Sequence, residues 1–324
     1  MKKVLIIQTA FIGDVILATA MIEKLYGFYP NIKLDFLLRK GNESLLENHP
    51  ALNEILIWEK KRKKYTNLFK IWRKVRKNNY DAVVNLQRFL SSGIITGFSG
   101  ASKMIGFEKN PLSRLFTHRH PHQISTDENS PHEVQRNLNL IEEFTDDKFV
   151  RPKLYPSMAD FSKVRVVSDY VTISPTSVWF TKQWPAEKWV KLINVLPKNI
   201  KVFLLGAPTD KDACIQIATQ SNHPLVEVKA GELSLLQSAA LMKNAQMNYV
   251  NDSAPLHLAS SMNAPVTALF LSTVPSFGFT PLSDKSSVLE TSEKLACRPC
   301  GLHGKSACPL GHFKCAEIDV EILG

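Results

Sequence analysis

The sequence predicts an α/β protein with two Rossmann-like domains, one in each half of the chain. Its 324 residues exceed one typical domain and suggest two domains of about 150 residues each. Apolar runs of strand length alternate with helical patterns in the first half, and the same alternation restarts in the second half. A polar, proline-marked stretch at 145–168 separates the two series. We therefore expect domains at 1–160 and 161–324, with the active site at the carboxyl ends of strands from both, in the cleft between them.

The predicted elements follow one another as βα units, which is the order that winds a parallel sheet. The first half contains apolar strand patterns at 4–7, 33–38, 54–58, 81–86 and 103–106, and helical patterns at 15–29, 60–77, 91–97 and 132–144. The second half contains strand patterns at 170–174, 201–205, 226–229, 247–250 and 266–270, and helical patterns that begin at 184, 210, 234 and 253. Pro185 lies early in one of these helices, where its missing N–H costs nothing.

Several classes of protein do not fit this sequence. No apolar run reaches the roughly 20 residues of a membrane-spanning helix, and the first residues lack the pattern of a signal peptide. We therefore expect a cytoplasmic protein. The G-x-G-x-x-G, G-x-x-x-x-G-K-[ST], H-E-x-x-H and G-x-S-x-G motifs are all missing. Their absence argues against dehydrogenases, P-loop kinases, zincins and α/β-hydrolases.

The positive charge of the chain is concentrated in one segment. The net charge is +10, and residues 60–77 hold ten Lys or Arg and no acidic residue. Apolar residues at helical spacing make this segment a basic amphipathic helix: Leu68, Ile71, Trp72 and Val75. It could be a solvated helix docked by its apolar side, or a surface for anionic phospholipid or a phosphorylated glycolipid. The candidate residues of such a patch are Lys60, Lys61, Arg62, Lys63, Lys64, Arg73 and Lys74. Nucleic acid is not expected, because the aromatic residues lie on the apolar stripe rather than between the charges.

Asp14 is the first candidate for chemistry. It follows Gly13 in the loop after the first predicted strand and precedes a helix. An aspartate in this position could simply cap the helix. The same position also suits a general base at the carboxyl edge of the sheet.

Two further segments follow predicted strands of the second half. In NDSAPLHLA, the helix after the strand begins near Ser253, whose free N–H groups would suit an anion, and His257 could add a donor. A capped helix with a half-buried histidine would have the same sequence. In SPTSVWFTKQWP, hydroxyl groups and Lys182 could bind a diphosphate, although an ordinary βα loop would also fit.

Taken together, these segments resemble the bacterial lipopolysaccharide heptosyltransferase family, glycosyltransferase family 9. The resemblance covers essentially the whole chain in order, from VLIIQTAFIGDVILATAMIEKL through YDAVVNLQ, HEVQRNLNLIEEF and TKQWPAEKW to NDSAPLHLASSMNAP. The tail CRPCGLHGKSACPLGHFKC looks like the tail of the heptosyltransferase II branch.

The resemblance implies a GT-B fold and an inverting, metal-independent transfer of heptose from ADP-heptose to inner-core lipopolysaccharide, at the inner face of the inner membrane. The first domain would bind the acceptor and the second the nucleotide sugar. Asp14 would be the base, and the donor would contact Thr176 or Ser177, Lys182, Asp252, Ser253 and His257. The ribose and adenine would lie near Asp210 and Leu233. Many members have Gly where this chain has Ala254, so the backbone approach to the sugar is expected to be tighter.

The clustered cysteines are the last candidate site. Cys297-x₂-Cys300, Cys308 and Cys315 could form a four-thiolate zinc site, with His303 and His312 as substitute ligands. Reduced thiols or a disulfide are the alternatives. The transfer itself is expected to need no cofactor.

Two other functions stay open from the sequence. A related GT-B transferase could use another nucleotide sugar, such as a hexose or an aminosugar donor. A non-catalytic zinc and nucleic-acid binding protein would use the basic helix and the cysteines, but it would leave the motifs at the strand ends unexplained.

Overall fold

The computed structural model describes residues 1–60 and 62–319, and the chain divides into two compact units. The first unit comprises Met1–Ile124 and Pro131–Tyr155. The second comprises Ser125–Ser130 and the chain from Pro156 onward. The sequence predicts a single boundary at residue 160, whereas the chain passes between the units after Ile124, after Ser130 and after Tyr155. No helix of the described residues is both long and apolar enough to cross a bilayer.

The first unit is a parallel six-stranded sheet with helices in the connections. Numbered along the chain, its strands lie in the order 3-2-1-4-5-6. The first strand is therefore central, and the order in which strands are added to the sheet reverses between the first and the fourth strand, which are parallel. The elements are β1 (Lys3–Ile7), α1 (Ile12–Phe28), β2 (Lys33–Arg39), β3 (Leu52–Trp58), α2 (Lys64–Lys77), β4 (Ala82–Asn85), α3 (Leu90–Gly97), β5 (Lys103–Phe107), β6 (His118–His120) and α4 (Glu133–Asn139).

Burial explains which elements of the first unit could be predicted. The residues of β1 from Val4 to Ile7 are fully buried, as expected for the central strand of a parallel sheet. β6 was missed because its sequence, HRH, is short and polar. The single helix predicted at 132–144 is wrong: α4 ends at Asn139, and only a 3₁₀ turn follows at Glu142–Phe144.

The second unit repeats the architecture. Its parallel sheet has the order β12-β11-β10-β7-β8-β9, with the reversal between β7 and β10. The elements are α5 (Met158–Lys163), β7 (Tyr170–Ser174), α6 (Ala186–Val195), β8 (Lys201–Leu204), α7 (Lys211–Gln220), β9 (Val226–Val228), α8 (Leu235–Lys243), β10 (Asn248–Asn251), α9 (Ala254–Ser261), β11 (Val266–Phe270) and β12 (Ser286–Glu290). The predicted linker at 145–168 contains α5, which a Ser157–Asp160 capping box stabilises.

The end of the cysteine-rich tail is part of the core of the second unit. Trp184 and Trp189 are fully buried and meet edge to face at 5.0 Å. The indole Nε1 of Trp184 donates to the carbonyl of Ala316 at 3.1 Å. Cys315 and Ile318 pack into the same apolar cluster. The tail is therefore fixed against the loop between β7 and α6.

Candidate functional site

Asp14 lies in the first turn of α1, at the reversal point of the first sheet. The helix begins after Phe11, and Asp14 is its third residue, so Asp14 is not the N-cap residue, although it does cap the start of the helix as the alternative expected. Its Oδ2 instead accepts a hydrogen bond from the Phe11 backbone N–H at 3.2 Å. A carboxylate at the carboxyl end of the central strand, held by the helix start, is in a position to accept a proton.

The surroundings of Asp14 raise its proton affinity. Burial raises the pKa of this carboxyl to about 6, and the negative charge of Glu133 adds to the effect. The backbone N–H groups of Phe11 and Asp14 and the charge of Arg39 oppose it. A carboxylate with a pKa near 6 is a better base than an ordinary aspartate and is still ionised at neutral pH.

Sequence reasoning missed a buried ionic cluster in the same unit. Glu133, at the start of α4, accepts from Arg136 Nε at 2.8 Å, and its carboxylate lies 3.1 Å from His122 Nε2. Burial opposes ionisation of Glu133, but these two partners outweigh it and lower the pKa of its carboxyl. The HEVQRNL segment was used only as a helix and a family signature. The three-residue spacing of Glu133 and Arg136 was the available signal.

Lys182 and Asp252 form an ion pair at the reversal point of the second sheet. Lys182 follows β7 and Asp252 follows β10, and Lys182 Nζ lies 2.6 Å from Asp252 Oδ2. Both side chains are largely buried, at 13% and 7% exposure. Thr273, in the loop after β11, donates its hydroxyl to the same Oδ2 at 2.6 Å. Two residues that the sequence assigned separately to the donor are thus brought into direct contact.

Asn251 joins the loops that carry these residues. Its Oδ1 accepts from the Trp184 backbone N–H at 3.0 Å, and its Nδ2 donates to the Pro175 carbonyl at 2.9 Å. Thr176 and Ser177, directly after Pro175, are half-buried. Asn251 is part of the NDSAP motif but was not a candidate residue, because its side chain bonds to backbone groups, which the sequence does not distinguish.

α9 begins beside this ion pair. Ser253 is its N-cap residue, but the hydroxyl makes no capping bond and instead lies 3.4 Å from the Asn251 carbonyl. His257 is 5% exposed, and its ring meets Phe279 edge to face. The predicted roles of Ser253 and His257 at the donor stay predictions.

The two residues predicted near the nucleoside follow the outer strands. Asp210 comes after β8, and its Oδ2 accepts from the Ala207 N–H at 2.7 Å. Leu233 comes after β9 and is half-buried in the wall of a cavity of about 730 Å³. Asp210 and Leu233 thus follow β8 and β9, which lie on one side of β7, whereas Asp252 follows β10 on the other side.

The basic helix α2 packs as its periodicity predicts. Leu68 and Val75 are buried, and Ile71 packs against the same cluster. Trp72 donates its indole N–H to the Phe98 carbonyl at 2.8 Å. The helix begins at Lys64, later than the basic run itself.

The charged residues of the predicted patch have different environments. Arg62, Lys63, Lys64 and Arg73 are exposed, and Lys74 pairs with Glu54. Lys60 does not belong to an outward patch, because its Nζ donates to the Thr9 carbonyl and hydroxyl at 3.0 and 2.8 Å. Burial, with the charges of Arg39 and Lys64, lowers the pKa of Lys60 to about 8. Lys61 lies outside the described residues.

The cysteines give no support to the zinc hypothesis. Cys297, Cys300, Cys308 and Cys315 line one cavity of about 350 Å³ and are free thiols. Within residues 1–60 and 62–319, no three His, Cys, Asp or Glu side chains are arranged to hold a metal ion. Burial and neighbouring thiols raise the pKa of Cys315 to about 11. Cys214 is buried in α7, as expected for a core residue.

Comparison with known proteins identifies relatives along most of the chain. The sequence profile "Glycosyltransferase family 9 (heptosyltransferase)" matches residues 68–307. Lipopolysaccharide heptosyltransferase 3 of Escherichia coli is 30% identical over 282 residues, which cover 80% of this chain and 81% of the relative.

Solved structures share the fold. The E. coli ADP-heptose lipopolysaccharide heptosyltransferase II has a TM-score of 0.77 at 21% identity, covering 93% of this chain and 96% of that one. E. coli heptosyltransferase WaaC with ADP-2-deoxy-2-fluoro heptose has a TM-score of 0.72 at 20% identity, covering 88% and 92%. The predicted GT-B class, with its two Rossmann-like domains, is confirmed.

Proposed function

Because the chain belongs to glycosyltransferase family 9, we propose that this glycosyltransferase moves a heptose from ADP-heptose to inner-core lipopolysaccharide with inversion at the anomeric carbon. The observation that carries the proposal is the Lys182–Asp252 ion pair at the reversal point of the second sheet, where parallel α/β folds bind nucleotides. The names of the matched relatives, lipopolysaccharide heptosyltransferases 1, 2 and 3, support heptose as the sugar.

The diphosphate of the donor would bind to Lys182 and to the start of α9. A lysine ammonium and the free N–H groups of a helix N-terminus both favour negative charge. Charge on the diphosphate grows as its bond to the sugar breaks, so these groups would stabilise the transition state more than the bound donor. The hydroxyl groups of Thr176 and Ser177 would complete the site. No metal ion is required in this scheme, since the leaving group receives its positive charge from the chain.

Asp14 would accept the proton of the acceptor hydroxyl. The hydroxyl oxygen forms a bond to the anomeric carbon while the bond from that carbon to the diphosphate oxygen breaks. ADP leaves with the electron pair, and the proton passes to Asp14. One displacement at one carbon inverts its configuration. The raised pKa of Asp14 suits this base role at neutral pH.

The nucleoside would lie toward β8 and β9. Asp210 would accept from ribose hydroxyl groups, and Leu233 would give an apolar contact to adenine. Their places at neighbouring strand ends on one side of β7 support this direction for the nucleotide. The similarity of the cysteine-rich tail to that of the heptosyltransferase II branch stays a prediction, because the matched relatives include heptosyltransferases 1, 2 and 3.

The start of α2 and the two residues before it would bind the anionic inner-leaflet surface in which the acceptor is embedded. Arg62, Lys63 and Lys64 are exposed. Tyr65 and Phe69 beside them are 79% and 53% exposed, so the expectation that the aromatic residues lie only on the apolar stripe is wrong for these two. Basic and aromatic side chains on one helix are typical of proteins that lie in the headgroup region. This interaction would hold the enzyme at the inner face of the inner membrane.

Calorimetry of the purified protein with ADP-heptose, ADP, UDP and GDP tests the donor. ADP and ADP-heptose should bind at least about tenfold more tightly than UDP or GDP, a difference of about 1.4 kcal/mol. Stronger binding of UDP or GDP would favour the alternative, a transferase of hexose or aminosugar donors.

A further inference from the structure

The cysteine-rich tail contacts the loops of the proposed diphosphate site through a segment that we name the strap, residues 298–305. Its first contact is Arg298, whose side chain is only 11% exposed. Nε of Arg298 donates to the Leu271 carbonyl at 2.6 Å, and Nη2 donates to the Thr273 carbonyl at 2.7 Å and the Phe270 carbonyl at 3.1 Å. A planar guanidinium that binds three carbonyls fixes the loop after β11.

The loop after β11 is connected to Lys182 by a hydrogen bond and an ion pair. Thr273, whose carbonyl Arg298 holds, donates its hydroxyl to Asp252 Oδ2 at 2.6 Å. The same oxygen pairs with Lys182 Nζ at 2.6 Å. Arg298 therefore acts on Lys182 through two intervening residues and does not touch it.

The second part of the strap binds the residue before Lys182. The Thr181 N–H donates to the Lys305 carbonyl at 3.1 Å, and the Lys305 N–H donates to Thr181 Oγ1 at 2.8 Å. Ser272 donates its hydroxyl to the same Oγ1 at 2.9 Å and accepts at its carbonyl from the Cys300 N–H at 2.8 Å. These hydrogen bonds, together with those of Arg298, join the strap, the β7 loop and the β11 loop.

Gly304 is the point of closest approach. A Cβ at this position would lie 3.0 Å from Lys182 Cγ, 3.0 Å from Thr181 Oγ1 and 3.2 Å from Ser272 Oγ. Its φ is +80°, a conformation that favours glycine. Gly301, in the same strap, has φ +90° but would place a Cβ in open space. Both glycines have a positive φ, but only at Gly304 would a side chain meet neighbouring atoms.

We propose that the strap is a positioning element of the diphosphate site, with Arg298 and Gly304 as the residues that fix Lys182 in place. The proposal rests on the proposed function, since it takes Lys182 as the residue that binds diphosphate. It gives the tail a role in donor binding that its thiols do not supply.

The experiment compares Gly304→Ala with Gly301→Ala in the full-length protein. Both substitutions place an alanine at positive φ, so their backbone strain is similar. Calorimetry measures the affinity for ADP, and titration followed by NMR measures the affinity for adenosine, which lacks the diphosphate. We expect Gly304→Ala to weaken ADP binding at least about fivefold while adenosine binding stays within about twofold. Gly301→Ala should leave both unchanged.

A second variant covers the case in which Gly304→Ala fails to fold. Arg298→Lys keeps the positive charge but replaces the planar guanidinium, whose Nε and Nη2 reach separate carbonyls, with one ammonium nitrogen, so it should also weaken ADP binding relative to adenosine binding. Lys182→Ala distinguishes a failure of the strap's positioning role from a failure of the assignment of Lys182 to the diphosphate. If Lys182→Ala weakens ADP binding but both strap variants match Gly301→Ala, the strap has no positioning role. If Lys182→Ala has no effect on ADP, the assignment of Lys182 fails, whatever the strap variants do.

Discussion

Lys182 and Asp252 hold each other through a 2.6 Å ion pair in the second unit, although 70 positions separate them in the chain. Asp252 Oδ2 also accepts from Thr273, so the carboxylate keeps one partner if Lys182 moves away. A diphosphate that binds Lys182 must compete with Asp252 for the ammonium. The ion pair thus keeps Lys182 ordered before the donor arrives.

Substitution of Lys182 and substitution of Asp252 should change the affinity for ADP in opposite directions. Lys182→Ala should weaken ADP binding about tenfold or more, because it removes the ammonium that we propose binds the diphosphate. Asp252→Asn should strengthen ADP binding a few-fold, since the competing negative charge is gone while the amide oxygen can still accept from Thr273 and from Lys182 and so keeps the ammonium in place. Calorimetry measures both, with Lys191→Ala on the exposed side of α6 as the control. Weaker ADP binding in both variants would argue against competition.

The same ion pair should contribute to stability. Lys182→Ala leaves Asp252 largely buried without its cation, and loss of one member of a buried pair costs about 3 kcal/mol or more. We expect a lower midpoint of urea unfolding for Lys182→Ala than for Lys191→Ala. Equal midpoints would mean that solvent already screens the pair.

The raised pKa of Asp14 should appear in the pH profile. A base must be ionised, so kcat/KM should fall as the pH drops through about 6. Asp14→Asn should lower kcat at least about 100-fold at pH 7.5 and change the Kd of ADP little. Near-normal turnover of this variant, or a profile that is flat down to pH 5, would remove Asp14 from the base role.

Asp14 should also make the protein less stable at neutral pH. The native pKa of about 6 exceeds the ordinary value of 3.8, so the native state holds the proton more tightly than the unfolded chain. Ionisation therefore costs stability above about pH 4, and the full cost is reached above pH 6. Asp14→Asn avoids this cost, on the order of 1–2 kcal/mol for a carboxylate in partial contact with solvent. Urea unfolding should show the variant more stable than the parent at pH 7.5 and equal to it near pH 3.5; no gain at pH 7.5 would contradict the raised pKa.

The exposed basic residues at the start of α2 and just before it should control binding to anionic vesicles. Replacement of Arg62, Lys63 and Lys64 by Gln removes three charges, each worth about 1 kcal/mol near such a surface, so vesicle binding should fall about 100-fold. Sedimentation with vesicles that contain phosphatidylglycerol measures it. The matched control replaces three exposed lysines of the second unit with Gln: Lys191, Lys198 and Lys211. Equal loss in both variants would show a general effect of net charge.

Periodicity was enough to predict the central strands of both sheets, because they are buried on both faces and read as continuous apolar runs. It failed at the edge strands β6, which is polar, and β12, which is largely exposed, and at the end of α4, where no proline or glycine marks the stop. Asp14, Lys182 and Ser253 were candidates because parallel α/β sheets place their sites at strand ends. Asp252, Asp210 and Leu233 were candidates only through the resemblance to the family.

Contacts that join distant segments could not be predicted. Nothing in the sequence pairs Lys182 with Asp252, or Arg298 with the carbonyls of the β11 loop, since both depend on how the strands are ordered in space. Lys60 was grouped with its basic neighbours because the sequence shows its charge but not its hydrogen-bond partners. Its two bonds to Thr9 turn it away from them. The raised pKa of Asp14 depends in part on Glu133, which lies 119 positions away along the chain.

Mass spectrometry of the reaction product tests the central claim most directly. The purified protein is incubated with ADP-heptose and heptose-deficient inner-core lipopolysaccharide, with Asp14→Asn in parallel. We expect the acceptor to gain one heptose with release of an equal amount of ADP, and the variant to form little product. Intact ADP-heptose, together with transfer from a UDP- or GDP-linked sugar to the same acceptor, would contradict the assignment.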